Sequence, residues 1–450
     1  MKKMLFLLMA LVPLSCSVSA QFISIHASDV NYAGSWRTVV RSWGSDYAVS
    51  FFVNVNGNPI IEVVEQSSGN TYWADLPSDV YIHDMYVDQQ TGKLFFCGAT
   101  QFVVTGGMYS CTGVIGWIEL ASFIPPSTNL AIEYMYVGFP GYGCNCINKL
   151  VEYDDGGLSH IMAIGEYRDH SGSYIYSRYY YVDCVDILSG WPSVEVTPFS
   201  DHERYDDVLH TDNYIVFVGY DVDPSVNSIC YRRTDPYNIH NPMFDDIHPF
   251  YNGNDALSRL HSTAMIGDEF AASYLSINAS GDFVTRTRVI DVANDINVNS
   301  QEFVLTDKTE PDDLVHIPAD NSLVLMQVFY APSGSHNSNF VFLDPYANAP
   351  YITNIEYKKD EYFQSLTMHD GFYYLAGDGA SWFLRDKKMS PTGYPHGDCP
   401  IVEDLQLDII DCLDAYLYGY PIGTPPNNEY TNPSQPMVNI SIVNINCLNY

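Results

Sequence analysis

An all-β chain of repeated four-stranded units is the fold class that three observations in this sequence predict. Short runs rich in β-branched and aromatic residues recur along the chain, at 47–53, 94–97, 160–164, 214–218, 270–275, 323–328 and 372–376. Most are entered through an Asp, Asn or Gly turn, the residues that supply the positive-φ positions of a tight hairpin. Successive runs start 47 to 66 residues apart, the length of four short strands with their loops. The longest step contains residues 124–146, which are rich in Pro, Gly and Tyr and read as an insertion.

Each element of the unit has its own signal. Tyr205-Asp206-Asp207-Val208-Leu209-His210 leads through Thr211-Asp212-Asn213 into an apolar run. Pro311-Asp312-Asp313-Leu314-Val315-His316 and Leu366-Thr367-Met368-His369 do the same in the same order, which predicts strand, tight turn, strand. A third strand follows and ends at an acid, at 228–234, 283–290, 339–343 and 382–385. Weaker fourth segments, such as 301–305 and 351–357, lead to the next unit.

A single sheet of this kind cannot bury both faces, whereas sheets stacked around an axis bury them against neighbours and leave only short edges. The expected architecture is therefore a seven-bladed β-propeller over residues 21–390, with 391–450 as a closing segment and C-terminal tail. Residues 21–44 are expected to add a strand that closes the ring. A string of β-sandwiches would show seven to nine strands per roughly 100 residues without this period.

On these repeats, residues 40 to 390 resemble the β-propeller superfamily. The period is close to that of kelch repeats, but the Gly-Gly doublets of kelch blades are missing. No Trp-Asp dipeptide recurs, and Tyr72-Trp73-Ala74-Asp75 is a single near match to a Tyr-Trp-Thr-Asp box. The resemblance implies that ligands meet the channel mouth or the loops of one face, and it carries no functional residue over to this chain.

Residues 1–20 read as a secretory signal: Lys2 and Lys3, an apolar stretch from Met4 to Leu14, and Val18-Ser19-Ala20 before the expected mature start at Gln21. Lipid anchoring through Cys16 is less favoured, because Pro13 stands where such signals carry an aliphatic residue. A secreted, periplasmic or cell-envelope protein is expected. Every later apolar run is broken within about seven residues, so no transmembrane segment is expected. Loss of Lys2 and Lys3 takes the net charge from −34 to −36. Such a field excludes nucleic acid and repels anionic membranes, leaving cations, proteins and glycans as ligand classes.

Nine of the ten cysteines follow the signal. Cys97 with Cys111, flanking an expected hairpin, and Cys399 with Cys412 are the candidate bridges in an oxidising compartment. Cys144-Asn145-Cys146 lacks a second pair at ligand spacing and reads as two thiols on one strand face.

No nucleophile elbow, phosphate loop or dinucleotide fingerprint occurs. The Ser-x-Asp-x-Gly-x-x-Trp boxes of sialidase-like propellers are also absent. His202-Glu203-Arg204-Tyr205-Asp206 begins like a zinc-protease motif but has Asp at the second histidine position and precedes a strand.

Polar pairs recur instead just before the first strand of successive units: His83-Asp84, Asp206-Asp207, Ser262-Thr263, Asp312-Asp313 and Gln364-Ser365. Gathered at a channel mouth, His83, Asp84, Asp206, Asp207, Thr263, Asp312, Asp313 and Ser365 are the candidate ligand-binding residues. No cofactor is evident. Ca²⁺ is the cation whose hard-oxygen preference such a ring would suit, and paired carboxylates could alternatively serve a carbohydrate-active hydrolase or lyase. The same side chains could simply satisfy strand-end amides. His210, His316 and His369 precede the hairpin turns and are expected to pack on them or hydrogen-bond to them. Tyr174, Tyr176, Tyr179, Tyr180 and Tyr181 fill space between sheets or stack on sugar faces. A non-enzymatic binding or scaffold protein is the leading functional expectation, with the hydrolase or lyase as the alternative.

Overall fold

The computed structural model describes residues 21–27, 39–44, 46–53, 59–65, 71–100, 103–105, 108–124, 132–137, 144–154, 159–168, 175–183, 194–198, 203–211, 213–221, 228–235, 247–252, 259–277, 283–303, 309–318, 321–330, 336–346, 354–356, 363–369, 372–377, 380–385 and 443–447. The expected signal at 1–20, Cys16, and both Cys399 and Cys412 lie outside them. Among the described residues there is no α-helix, only strands and one 3₁₀ turn at Leu120–Phe123. Nor is any helix there long and apolar enough to cross a membrane.

The fold is an all-β propeller. Its strands fall, in chain order, into antiparallel sheets: the first spans 39–75, the second 80–137, the third 144–198, the fourth 203–252, the fifth 259–303 and the sixth 309–356, each four-stranded, with Val103–Thr105 and Met108–Ser110 pairing as a separate hairpin within the second span. The seventh has five strands. Three come from 363–385, and Gln21–Ala27 pairs beside Ala380–Arg385, with Phe22 opposite Arg385 and Ala27 opposite Ala380. Val443–Cys447 pairs on the far side of Gln21–Ala27. The two ends of the chain thus complete one sheet with the last repeat.

The apolar runs are the second strands of their sheets. Residues 214–218 enter Ile215–Asp221 and residues 323–328 enter Ser322–Tyr330, strands that are nearly all buried where described. A strand buried on both faces reads as a continuous apolar run, which is why these were the strongest signal. Ser228–Thr234 has the bounds its sequence gives, ending before Asp235. The second sheet differs from expectation: Ile132–Val137, inside the segment read as an insertion, is its fourth strand.

The core lies between sheets, not within them. Phe51, Ile61 and Val63 of the first sheet pack against Phe96, Val114 and Ile118 of the second. Phe95, Ile115 and Trp117 on the opposite face of the second pack against Ile147, Leu150 and Ile161 of the third. Met162 and Ile164 meet Val208 and Phe217, Val216 and Tyr231 meet Phe270 and Tyr274, and Ala271 and Val289 meet Leu323 and Leu325. Each side chain of this size contributes about 1.5–3 kcal/mol on burial, so stacking of sheet faces is the dominant stabilising term.

The innermost strand of a sheet is not regular. Its register with the second strand slips by one residue at His83, Asn148, Asp206, His261, Asp312 and Gln364, in the second to seventh sheets respectively. These are β-bulges, in which two residues oppose one and the strand bends. In four of the sheets a glycine stands opposite the residue that precedes the bulge: Gly98 faces Ile82, Gly165 faces Ile147, Gly219 faces Tyr205, and Gly377 faces Phe363. At Gly98 an added Cβ would lie 1.8 Å from the Tyr81 carbonyl oxygen, at Gly165 2.2 Å from that of Cys146, and at Gly219 1.9 Å from that of Arg204. Only a residue without a side chain lets the bent strand approach so closely. Gly219→Ala is therefore expected to cost about 1–3 kcal/mol through backbone displacement. A denaturant-unfolding midpoint unchanged from wild type would contradict this.

Candidate functional site

The bulges place the candidate residues within the inner strands, not ahead of them. In the second, fourth, sixth and seventh sheets the residue after the bulge accepts a hydrogen bond from the following sheet. Asp84 Oδ2 accepts from the Leu150 amide at 3.2 Å. Asp313 Oδ2 accepts from the Leu366 amide at 2.9 Å, and Ser365 Oγ accepts from the Val40 amide at 3.2 Å. Asp207 Oδ2 accepts at 2.8 Å from the Thr263 hydroxyl, which occupies the same register as Leu150 and Leu366. Asp207 and Asp313 also accept, through Oδ1, from the amides of Val208 at 2.9 Å and Leu314 at 3.0 Å. The contact between Val40 and Ser365 joins the first sheet to the last across a separation of 325 residues.

These acceptors are deeply placed: Asp84 is 4% exposed, Asp207 7% and Ser365 3%. An ionised carboxylate at such a depth is tolerable only when it is paired or hydrogen-bonded. Asp84 is ion-paired to Arg41, whose Nε also donates to the Met85 carbonyl at 2.6 Å. Burial pushes the carboxyl of Asp207 above its ordinary value; the Lys149 ammonium and the Thr263 hydrogen bond oppose that shift, and the Asp84 charge adds to it. Lys149 follows the bulge in the third sheet, so a cation stands at one post of the belt between carboxylates at two others.

The bulge residues behave differently. His83 is half-buried, with Nδ1 3.1 Å from the Ile147 carbonyl oxygen and 3.9 Å from the Cys146 sulfur. Asp206 is exposed. Asp312 occupies the bulge of the sixth sheet, and its side chain lies outside the described residues. The bulge of the fifth sheet falls at His261, so Ser262-Thr263 sits one residue later than the other pairs. The structure thus brings Asp84, Asp207, Thr263, Asp313 and Ser365 into one inter-sheet belt and sets His83, Asp206 and Asp312 at the adjoining bulges. No group of three His, Cys, Asp or Glu side chains able to hold a metal ion occurs among the described residues.

Other expectations are resolved side chain by side chain. Glu203, of the zinc-protease-like stretch, lies on the strand Glu203–His210, accepts from the Tyr205 hydroxyl at 2.8 Å and is ion-paired to Arg232 at 3.0 Å. His316 Nε2 is 2.8 Å from Asn321 Oδ1 in its hairpin turn, and the His210 ring meets the edge of Tyr153. The side chain of His369 and those of Tyr174 to Tyr181 lie outside the described residues.

The Cys97–Cys111 bridge is not formed. Cys97 is a free, buried thiol opposite Ile115, whereas Cys111 takes part in a disulfide. The pairing of Gly113 with Ala99 sets Cys111 beyond the far end of the strand that holds Cys97. At about 3.3 Å per residue this is roughly 13 Å of strand, too far for a disulfide. Cys146 and Cys230 are likewise not disulfide-bonded.

Arg41, Asn148 and Lys149 were not singled out in the sequence, although they belong to the same belt. The glycine that closes an apolar run, as in Ile164-Gly165, was the available signal, because in four of the six bulged sheets it stands opposite the residue before the bulge.

No known family profile matches the chain, and no curated protein matches it in sequence. In structure it is similar to the β-propeller domain of the trilobed protease from Pyrococcus furiosus, at 8% identity over 78% of this chain and 96% of that one, with a TM-score of 0.45. Similarity extends to an acylaminoacyl peptidase of Pyrococcus horikoshii, at 9% identity over 80% of this chain and 52% of that one, TM-score 0.48. This chain thus spans about half the length of that peptidase. A polysaccharide lyase of family PL25, an ulvan lyase, gives 8% identity over 85% and 98%, TM-score 0.46. At these identities the likeness concerns the fold alone.

Truncating a belt carboxylate leaves a buried partner stranded. Asp84→Ala, which takes the counter-charge from the Arg41 guanidinium and the acceptor from the Leu150 amide, is expected to lose about 3 kcal/mol of stability in chemical denaturation. For Asp207, a native carboxyl held above its unfolded value favours folding while protonated. That contribution is complete below the unfolded value and is lost as pH rises through the native one. Wild type should therefore lose stability relative to Asp207→Asn as pH rises from the acid side of the ordinary carboxylate range to neutrality. Parallel stability curves for the two proteins would contradict it.

Proposed function

We propose that this chain is a secreted, seven-bladed propeller that works as a non-enzymatic binding scaffold for a protein or glycan. The seven-blade count is supported by the six four-stranded sheets and the five-stranded sheet, by the inner-strand contacts between successive sheets, and by the hydrogen bond from Val40 to Ser365. Export is supported by the leader-like character of residues 1–20, and the net charge of −34 favours uncharged or basic ligands.

One observation carries the non-enzymatic reading. The carboxylates that would supply acid and base for glycoside cleavage, Asp84, Asp207 and Asp313, are engaged as acceptors for the neighbouring sheet. A catalytic carboxyl must be able to reach substrate and exchange its proton there. A carboxylate held by two protein donors between sheets, buried at Asp84 and Asp207 and half-buried at Asp313, is committed to structure instead.

The mature protein should retain a partner in a glycan array or a pull-down from cell-surface extract, and should release no reducing ends from neutral or acidic polysaccharides. Turnover that disappears in Asp206→Asn or Asp312→Asn, at bulge positions outside the clamp, would replace this reading with the hydrolase or lyase.

A further inference from the structure

The outermost strand of the second sheet, Ile132–Val137, carries alternating side chains, so Ile132, Tyr134 and Tyr136 share one face. Ile132 packs against the core between the first and second sheets. The two tyrosines continue that face outward into solvent, 38% and 48% exposed. They are two of the five large apolar side chains that stand exposed among the described residues. Gly116 lies opposite Tyr134 in the neighbouring strand, so no side chain from that position crowds the ring.

The two rings meet at 5.6 Å between centroids with their planes 86° apart. This arrangement is a corner, in which one ring offers its face as a floor and the other stands as a wall. The Tyr136 hydroxyl is hydrogen-bonded to Tyr134 and to Asp79, an exposed residue in the turn ahead of the second sheet's inner strand. Desolvation and these neighbours push the Tyr136 phenol up to about 12, so it stays protonated throughout the physiological range.

We propose that Tyr134, Tyr136 and Asp79 form a stacking site for a neutral sugar unit of a glycan. The inference rests on the binding-scaffold reading and names its ligand class. A pyranose has an apolar C–H face that covers an aromatic ring and a rim of hydroxyls that needs donors and acceptors. The corner supplies both: ring faces for the first, phenol hydroxyls and a carboxylate for the second. Charge settles which glycan. Asp79 stands at the site and the chain carries 54 acidic against 20 basic residues, so uronate or sulfate groups are repelled. Exposed paired aromatics rimmed by polar groups are also the kind of surface that marks interaction sites on soluble proteins.

Affinity electrophoresis of the mature protein through gels containing glucomannan, xyloglucan or laminarin, with alginate as the anionic control, tests the assignment. Retardation is expected in at least one neutral gel and not in alginate. Tyr134→Ala and Tyr136→Ala should each weaken it about tenfold, the size of one lost stacking contact with its hydrogen bond. Tyr136→Phe should fall between, and all three variants should keep the wild-type melting temperature because the rings are outside the core. If no neutral polysaccharide retards the protein, the site is overturned, and a partner retained in the cell-surface pull-down would leave the scaffold reading intact with a protein ligand. If wild type is retarded and the alanine variants equally so, the glycan binds elsewhere and this assignment also falls.

Discussion

The hydrogen bond from the inner strand of one sheet to a side chain on the sheet before it is the contact on which the rest of this architecture turns. Apolar faces drive the sheets together, but hydrophobic attraction is non-directional and would tolerate many relative rotations. A buried carboxylate aimed at one particular amide tolerates very few, because a misplaced sheet would strand a charge in the interior. The acceptors at Asp84, Asp207, Asp313 and Ser365 occupy one register of the inner strands of the second, fourth, sixth and seventh sheets, and Val40 joins the first sheet to the last.

The bulge is what makes that aim achievable. A regular inner strand would alternate its side chains between the two sheet faces; the extra residue breaks the alternation and bends the strand where the carboxylate must turn. The bend in turn brings its carbonyl against the second strand, and the glycines at 98, 165 and 219 give it room. Apolar run, terminal glycine, bulge and acceptor are therefore parts of one local device. The second and fourth sheets carry all four parts with a carboxylate acceptor and the seventh with the Ser365 hydroxyl, whereas the sixth has Gln327 in place of the glycine.

Much of the fold was legible because the strongest sequence signals are those of doubly buried strands. Runs such as Tyr-Ile-Val-Phe-Val-Gly cannot be mistaken for amphipathic surface elements. The inner strands were harder to place. Asp is disfavoured inside strands, so Asp206-Asp207 and Asp312-Asp313 read as residues ahead of a strand, whereas the bulge embeds them in it. The fourth strand Ile132–Val137 was hidden by the Pro- and Gly-rich residues around it, although Ile-Glu-Tyr-Met-Tyr-Val alternates plainly. Cys97 and Cys111 flank an expected hairpin, and register, which a single sequence does not display, separates them. Of the site, the chemical identity of the acceptors was readable and their purpose was not, since a carboxylate that clamps and a carboxylate that binds look alike until their partners are known.

Function then follows from what the clamps leave over. With the inner carboxylates engaged in holding sheets, the surfaces left to meet a ligand among the described residues include the bulge residues and the exposed rims of the outer strands. The belt, and not sheet stacking alone, fixes the ring. Native-state hydrogen exchange on the Leu366 amide in wild type and Asp313→Ala tests it most directly. This amide is expected to open only with global unfolding in wild type and to lose most of its protection in the variant, while Ser322–Tyr330, in the sixth sheet that carries Asp313, stays protected. Equal protection of Leu366 in both proteins would contradict it.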